Sequence, residues 1–173
     1  MKRFFSLGLI LLLCYCPNAT RAQVHSDGDS IKREFTFPEQ VGWVNDFEND
    51  LDSLTIQQLT TLFSDHEEKT TDQIVVVTIA DFKPYTSLTD YALALANYWK
   101  VGQVKKNNGV LIALTKAGRN VRIATGSGME EKLTDAMCKK IIDEKMIPQF
   151  KKGNYGRGLL DGSKEIVRIL EKN

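Results

Sequence analysis

The chain has 173 residues, of which 42% are hydrophobic and 26% are charged, with 23 basic and 22 acidic side chains. This length predicts one domain with a short appendage, and the composition argues against a disordered, collagen-like or coiled-coil chain. Residues 1–22 contain three of the basic residues and no acidic one. The rest of the chain therefore has a slight acidic excess and no long basic face, which argues against a dedicated nucleic-acid binder.

The first 22 residues have the layout of a secretory signal peptide. Lys2 and Arg3 precede an apolar run over 4–16, and Thr20-Arg21-Ala22 resembles a cleavage site with small residues at both ends. This run is shorter than the roughly 20 residues that span a bilayer, which argues against a retained membrane helix. No other apolar run approaches that length, so we expect no transmembrane helix in the mature chain. The predicted location is the periplasm or the extracellular space.

The cysteines bear on anchoring and on catalysis. Cys14 or Cys16 could carry a lipid, but Leu13 and Tyr15 precede them where small residues are expected, so lipoprotein anchoring is the weaker alternative. Cys138 alone remains in the mature chain, which excludes an intramolecular disulfide. It lies on the apolar side of a helical pattern, and we predict a small buried side chain.

Residues 23–36 are polar and without periodicity, and we expect a flexible segment there. Dense patterning begins at residue 37, so the domain is predicted over 37–173. In chain order the periodicity predicts a helix at 55–69, a buried strand at 73–80, a helix at 88–101, a buried strand at 109–115, a strand at 120–125, and helices at 134–147 and 155–171, with Pro148 ending the first of these last two.

Local signals agree with these elements. Two capping boxes, Thr55 with Gln58 and Ser87 with Asp90, are predicted to start the first two helices. The turn at 117–118 joins two strands as a hairpin. The nearly continuous apolar strands are typical of a sheet covered on both faces. The sequence thus predicts an α/β fold, a three-layer α/β/α sandwich with a mixed central sheet that includes a hairpin and has helices on both faces.

Familiar catalytic motifs are absent from the sequence. It contains no nucleophile elbow, no phosphate loop ending in Gly-Lys-Ser/Thr and no paired-histidine helix, so no catalytic residue is assigned. Gly126-Ser127-Gly128 superficially suggests a phosphate cradle. We favour a backbone role, in which glycine supplies a positive φ between strand and helix.

Several acidic residues lie at the ends of the predicted elements, among them Asp46, Asp90, Glu130 and Asp135. Loops at strand ends converge on one crevice in layered α/β folds, and oxygen ligands from several loops suit Ca²⁺ or Mg²⁺. Each of these acids could equally be a helix cap or a solvated charge at a helix start. From the pattern alone both interpretations stay open.

The order of several short segments resembles the TPM domain family. The likeness covers roughly residues 41–170, and the segments that carry it are VND at 44–46, QIVVVT at 73–78, DYA at 90–92, NNGVL at 107–111, RNVRIATGSGME at 119–130, LTD at 133–135 and IPQFK at 147–151. Each piece is short, but their conjunction in this order is specific.

The resemblance implies an exported α/β/α sandwich that binds a divalent cation through loop acids, with acid phosphatase activity in some members. Carried onto matching positions, the metal ligands are Asp46, Asp90, Glu130 and Asp135. The family name also joins a photosystem II repair protein and a receptor modulator, so the fold does not fix the function.

Two functions follow as expectations. The first is a secreted or periplasmic domain that binds Ca²⁺ or Mg²⁺ and acts as a weak metal-dependent phosphomonoester hydrolase, with Arg119 or Arg122 holding the phosphate. For these arginines a solvated hairpin is the alternative. The second function is a non-enzymatic interaction module that assists assembly or repair of an envelope protein complex. We expect a monomer, and the sequence fixes neither the ion, the substrate nor the partner.

Overall fold

The structure is a computed structural model that describes residues 35–172. The predicted signal peptide, residues 23–34 of the predicted flexible segment and Asn173 lie outside the described residues. Across the described part, no helix combines the length and the apolar character that crossing a membrane requires. Its elements are β1 (Val44–Asp46), α1 (Ser53–Thr70), β2 (Gln73–Thr78), α2 (Leu88–Trp99), β3 (Gly109–Thr115), β4 (Asn120–Thr125), α3 (Asp135–Ile141), a π-helical turn (Ile142–Met146), α4 (Ile147–Phe150) and α5 (Tyr155–Leu170).

The strands form one mixed sheet in the order β1-β2-β3-β4. The first three are parallel, and β4 runs antiparallel to β3, which confirms the predicted hairpin. The carboxyl ends of β1, β2 and β3 therefore lie along one edge of the sheet, here called the carboxyl edge. β4 starts at that edge and ends at the opposite one, the amino edge. Strand β1 was not predicted, because three residues are too few to show a period.

Helices cover both faces of the sheet, as predicted. Ile74 and Val76 of β2 face a core shared with α1, α5 and the helical segment 135–150, whereas Val75 and Val77 face α2. All four side chains are at most 2% exposed. A strand with both faces covered needs apolar residues at successive positions, which explains the continuous apolar run.

The prediction that Pro148 ends a helix is wrong. Helical backbone continues from Asp135 to Phe150, with a π-helical turn immediately before the proline. In this turn the Ile147 N–H donates to the carbonyl of Ile142, five residues back. Proline offers no N–H to the helix ladder, and the widened turn accommodates the interruption.

Gly126 and Gly128 have a backbone role, as predicted, but the reason is not the predicted positive φ. Neither has a positive φ. A Cβ on Gly126 would lie 2.2 Å from the Asn107 carbonyl oxygen, and one on Gly128 would lie 1.9 Å from that of Lys106. Close approach of two backbone segments at the amino edge therefore demands these glycines.

The two predicted helix starts differ in outcome. The cap of α1 is Asp52, whose Oδ1 accepts the Thr55 N–H at 2.7 Å, so the predicted capping role of Thr55 is wrong. The cap of α2 is Ser87, as predicted. Its Oγ accepts the Asp90 N–H at 3.1 Å and donates to the Asp90 carboxylate at 2.8 Å.

Five aromatic rings pack together on the α2 side of the sheet, and we call them the aromatic cluster. Successive ring centroids lie between 4.9 and 6.3 Å apart. Next to the cluster, Trp99 Nε1 donates to the carbonyl of Pro38 at 2.8 Å, which fixes the chain ahead of β1 against α2. The members are Phe35, Phe37, Tyr85, Tyr91 and Tyr98.

Candidate functional site

The carboxyl edge of the sheet carries an acidic loop between β1 and α1. Asp46 is the last residue of β1 and lies opposite Thr78, the last residue of β2. Asp46 Oδ1 accepts the Thr78 hydroxyl and the Asp50 N–H, and Oδ2 accepts the Leu51 N–H at 2.9 Å. This carboxylate therefore folds the loop back over the strand ends.

The second carboxylate of the loop is buried and only partly satisfied. The side chain of Asp50 is 8% exposed, and its Oδ1 accepts from Lys116 Nζ at 2.7 Å. Its Oδ2 is buried and has no hydrogen-bond partner within residues 35–172. A buried carboxylate oxygen without a partner is costly, so a donor or a cation at this position would lower the free energy.

Lys116 connects this loop to α5. It follows the last residue of β3, and its ammonium lies 5.4 Å from the centroid of the Tyr155 ring at the start of α5. The hydrogen bond and the charge of Asp50 raise the pKa of Lys116, and Tyr155 and Asp46 act in the same direction. We call Asp46, Asp50, Thr78, Lys116 and Tyr155 the carboxyl-edge cluster.

Tyr155 lines two cavities. One, of about 370 Å³, borders the acidic loop and is lined by Asp50, Asp52 and Arg157 among others. The other, of about 550 Å³, lies toward the β3–β4 turn and is lined in part by Arg119. Both are large enough to hold a small ligand, and this edge is where ligands bind in open α/β sheets.

Of the four predicted metal ligands, only Asp46 lies in this cluster. Asp90 is exposed in the first turn of α2, and its carboxylate accepts from the hydroxyls of Ser87 and Thr86. Asp90 therefore belongs to the cap of α2, which is the alternative that the sequence pattern also allowed. The helix α2 covers one face of the sheet, and α1 covers the other.

Glu130 and Asp135 come after β4, which runs from the carboxyl edge to the amino edge. Both are exposed, and Asp135 is paired with Arg122 at 2.8 Å. The structure therefore does not bring the four carboxylates together. Over residues 35–172, no group of three or more His, Cys, Asp or Glu residues is placed to hold a metal ion. Cation binding itself stays a prediction.

The two arginines proposed to hold phosphate occupy different surroundings. Arg119 lies in the β3–β4 turn at the carboxyl edge, is exposed and has no acidic partner in the described part of the chain. Arg122 lies within β4 and is already paired with Asp135. Only Arg119 therefore adjoins the carboxyl-edge cluster with its charge unpaired.

A match to the TPM domain covers residues 44–169 of this chain. The chain belongs to the TPM domain family. This confirms the resemblance seen in the motifs, and the matched range contains the whole carboxyl-edge cluster.

Solved structures agree with this TPM domain assignment. The N-terminal domain of a protein from P. gingivalis is similar at 32% identity and TM-score 0.70, with 75% of this chain and 82% of that chain covered. The fold also matches BA42 from Bizionia argentinensis (24% identity, TM-score 0.61, 73% and 85% covered) and the N-terminal domain of cg2496 from Corynebacterium glutamicum (16%, 0.59, 78% and 84%). No curated protein matches this chain at a significant level.

The thiol of this TPM domain is buried, as predicted. Cys138 is 1% exposed, and burial raises the pKa of its thiol to about 11. A nucleophilic cysteine needs the opposite shift, because the thiolate is the reactive form. Packing against the core shared by α1 and α5 is therefore the role that the geometry supports.

Sequence reasoning missed Asp50, Lys116 and Tyr155. A signal for the first two was present, since a polar residue directly after a buried strand marks the carboxyl edge, and Lys116 follows GVLIALT. Asp50 lies four residues after Asp46 in the same loop. Nothing in the sequence indicates that the start of α5 would come to lie against Lys116, because that contact joins residues about 40 positions apart along the chain.

Proposed function

We propose that this chain is an exported TPM domain that binds a divalent cation, Ca²⁺ or Mg²⁺, at the acidic loop of its carboxyl edge. One observation carries the proposal: Asp50 is nine-tenths buried, and its Oδ2 has no partner within residues 35–172. The surrounding donors are carboxylate and hydroxyl oxygens, which suit a hard cation. Export follows from the composition of residues 1–22, which resembles a signal peptide.

Lys116 has a definite role in this proposal. Its ammonium now neutralises Asp50 at 2.7 Å and lies within electrostatic reach of Asp46. A divalent cation bound at Asp50 Oδ2 would repel this ammonium and weaken its contact with Oδ1. Binding would therefore release Lys116 from Asp50.

Thermal unfolding with and without a cation tests the proposal. We expect Ca²⁺ or Mg²⁺ at 100 times Kd to stabilise the protein by about 2.7 kcal/mol, since it binds the folded state alone. For a domain of this size the melting temperature should rise by roughly 5–10 °C. The shift should be lost in Asp50→Asn and should decrease at acid pH, where protons compete with the cation.

Three variants sharpen this test. Asp90→Asn and Asp135→Asn remove acids that lie outside the cluster, and both should keep the full cation effect. Lys116→Met should melt lower without cation, because it leaves Asp50 unpaired, and should show a larger cation-induced shift. If Asp90→Asn or Asp135→Asn abolished the shift while Asp50→Asn kept it, the acidic loop would not be the site.

Hydrolysis of phosphomonoesters is the second candidate, and it is favoured by Arg119. This guanidinium lies three residues after Lys116 and lines the cavity next to Tyr155 without an acidic partner in the described residues. Arg119 would hold the phosphate oxygens in a two-pronged contact. A bound divalent cation would supply polarisation of a phosphoryl oxygen and an activated water.

Turnover of 4-nitrophenyl phosphate separates the candidates. The enzymatic function would be supported by hydrolysis that a chelator abolishes and that decreases in Arg119→Gln. Lys105→Gln, at the other edge of the sheet, is the control. Hydrolysis that persists without any cation would exclude this mechanism. Turnover at background would favour the alternative, an interaction module that assists an envelope complex.

A further inference from the structure

The larger cavity at the carboxyl edge has the size and lining of a ligand site that is separate from the acidic loop. Its volume is about 550 Å³, within the range usual for small-molecule pockets. The side chains of Leu114, Ile147 and Phe150 make its lining largely apolar. Phe150 stacks on Tyr155 with 5.2 Å between ring centroids and 24° between ring planes, which gives the cavity a flat wall.

Two unpaired cationic side chains also line this cavity. Arg119 comes from the β3–β4 turn and Lys151 from the end of the helical segment 135–150. In the described part of the chain neither makes an ion pair, whereas the other three arginines there each bind an acid. Those pairs are Arg122 with Asp135, Arg157 with Asp161 and Arg168 with Glu165.

The acidic loop does not compensate this positive charge. Lys116 neutralises Asp50, and neither of these two residues lines the cavity that Arg119 and Lys151 line. Two positive charges beside an apolar lining complement a molecule with one anionic group and one apolar body. An arginine adds directional contacts to a phosphate or carboxylate.

We infer that the cavity between the β3–β4 turn and the start of α5 binds an organic anion with a flat apolar body. The anionic group lies between Arg119 and Lys151, and the body packs against Leu114, Ile147 and Phe150. The site shares Arg119 with the candidate phosphomonoester hydrolysis, but it requires neither a bound cation nor hydrolysis and so stands without either proposed function.

Titration of the ¹⁵N-labelled protein in excess chelator tests this site. The probes are 1-naphthyl phosphate, 1-naphthoate, the neutral 1-naphthalenemethanol and inorganic phosphate. We expect the two naphthyl anions to shift the backbone amides of residues 147–155 and of the β3–β4 turn. The neutral alcohol and inorganic phosphate should each bind at least 10-fold more weakly. If both naphthyl anions bind, the site accepts phosphate and carboxylate groups alike. If only one binds, its acidic group is the one that the site accepts.

Charge-removing variants provide the matched comparison. Arg119→Gln and Lys151→Gln should each weaken 1-naphthyl phosphate roughly 3- to 10-fold, as expected for partly exposed charge pairs. Lys105→Gln, an exposed lysine at the amino edge, should change nothing. Phe150→Leu keeps an apolar side chain and should weaken the naphthyl anions by removing the flat ring.

Three results would overturn the inference: equal binding of the neutral alcohol, equal binding of inorganic phosphate, or unchanged affinity in both glutamine variants. Cation binding is measured in the same samples after the chelator is removed. A protein that binds naphthyl phosphate with no cation effect would retain this site and refute the proposed function. A protein that shows the cation effect but does not bind naphthyl phosphate would refute this site and leave the proposed function standing.

Discussion

The imidazole of His66 is enclosed in the domain, and neither ring nitrogen has a hydrogen-bond partner among residues 35–172. Its side chain is fully buried, and Nδ1 lies 3.7 Å from a carboxylate oxygen of Glu171. Burial lowers the pKa of His66, and this outweighs Asp72 and Glu171, which raise the pKa; nearby Lys69 also lowers it. The folded protein therefore holds a neutral histidine at a pH where the unfolded chain would bind a proton.

Stability should decrease in mild acid because of His66. The unfolded histidine titrates near pH 6.5, and the folded one at a lower pH, so its contribution is fully present above pH 6.5 and is lost as the pH falls below it. In His66→Phe, the decrease in unfolding free energy between pH 7 and 5 should be smaller. Glu171→Gln should make the decrease larger, since it removes a charge that favours the protonated ring. Parallel pH curves for all three proteins would contradict this assignment.

At alkaline pH, stability should decrease because of Tyr91. It is 3% exposed in the aromatic cluster, and burial raises the pKa of its phenol to about 12. The neutral form is favoured on folding, so this contribution is present below pH 10 and is lost as the pH rises toward 12. Denaturant unfolding at pH 8 and pH 11 should show a smaller alkaline loss for Tyr91→Phe. Tyr98→Phe, in the same cluster but 53% exposed, should behave as the unmodified protein.

At the scale of elements, turns and helix ends were harder to predict than the elements themselves. The apolar runs of β2 and β3 and the helical faces of α2 and α5 follow directly from their periods. The cap of α1 was misplaced by three residues, because Asp52 and Thr55 are both good cap residues and only the backbone decides between them. Likewise, the proline rule failed at Pro148, where a π-helical turn lets the helix continue.

The glycine turn after β4 gives a sharp test of close backbone approach. Gly126→Ala would place a Cβ 2.2 Å from the Asn107 carbonyl oxygen, so one of the two backbone segments must move. We expect a loss of about 1–3 kcal/mol in unfolding free energy, as for an overpacked core. Gly42→Ala is the control, because nothing lies within 4 Å of its Cβ. An equal and small effect of both changes in urea unfolding would refute the packing role.

At the scale of the whole molecule, one sheet joins two cores. Leu59 of α1 lies in the core on one face and Leu95 of α2 in the core on the other, and each is 0% exposed. Because β2 and β3 contribute to both cores, loss of either should unfold the common sheet. Leu59→Ala and Leu95→Ala should therefore each cost about 2–5 kcal/mol.

The two leucine variants should also unfold in a single transition. Far-ultraviolet circular dichroism follows the helices, and tryptophan fluorescence reports on both faces, because Trp43 packs against one core and Trp99 against the other. The curves should coincide in both variants. A fluorescence change that precedes the loss of helix in one variant alone would show that the cores unfold independently.

The candidate site could be predicted only in part, and the direction of β4 explains why. Asp46 was identified as an acid at the end of an element and from the TPM resemblance, although the strand that it ends was not predicted. Glu130 and Asp135 follow a strand that runs the other way, from the carboxyl edge to the amino edge. A hairpin was predicted. Where it places these acids depends on which strands of the sheet are parallel, and only the assembled sheet shows this. The pairing of Lys116 with Tyr155 likewise depends on where α5 packs.

The borders of the sheet bear on self-association. A free strand edge can pair with another chain, and natural proteins counter this with short or charged outer strands. Here β1 is only three residues long. On the other side, β4 carries Arg122 in mid-strand, with its guanidinium held by Asp135 at 2.8 Å. A second copy of the chain that added a strand to this sheet would form few backbone hydrogen bonds at β1 and would contact an ion pair at β4.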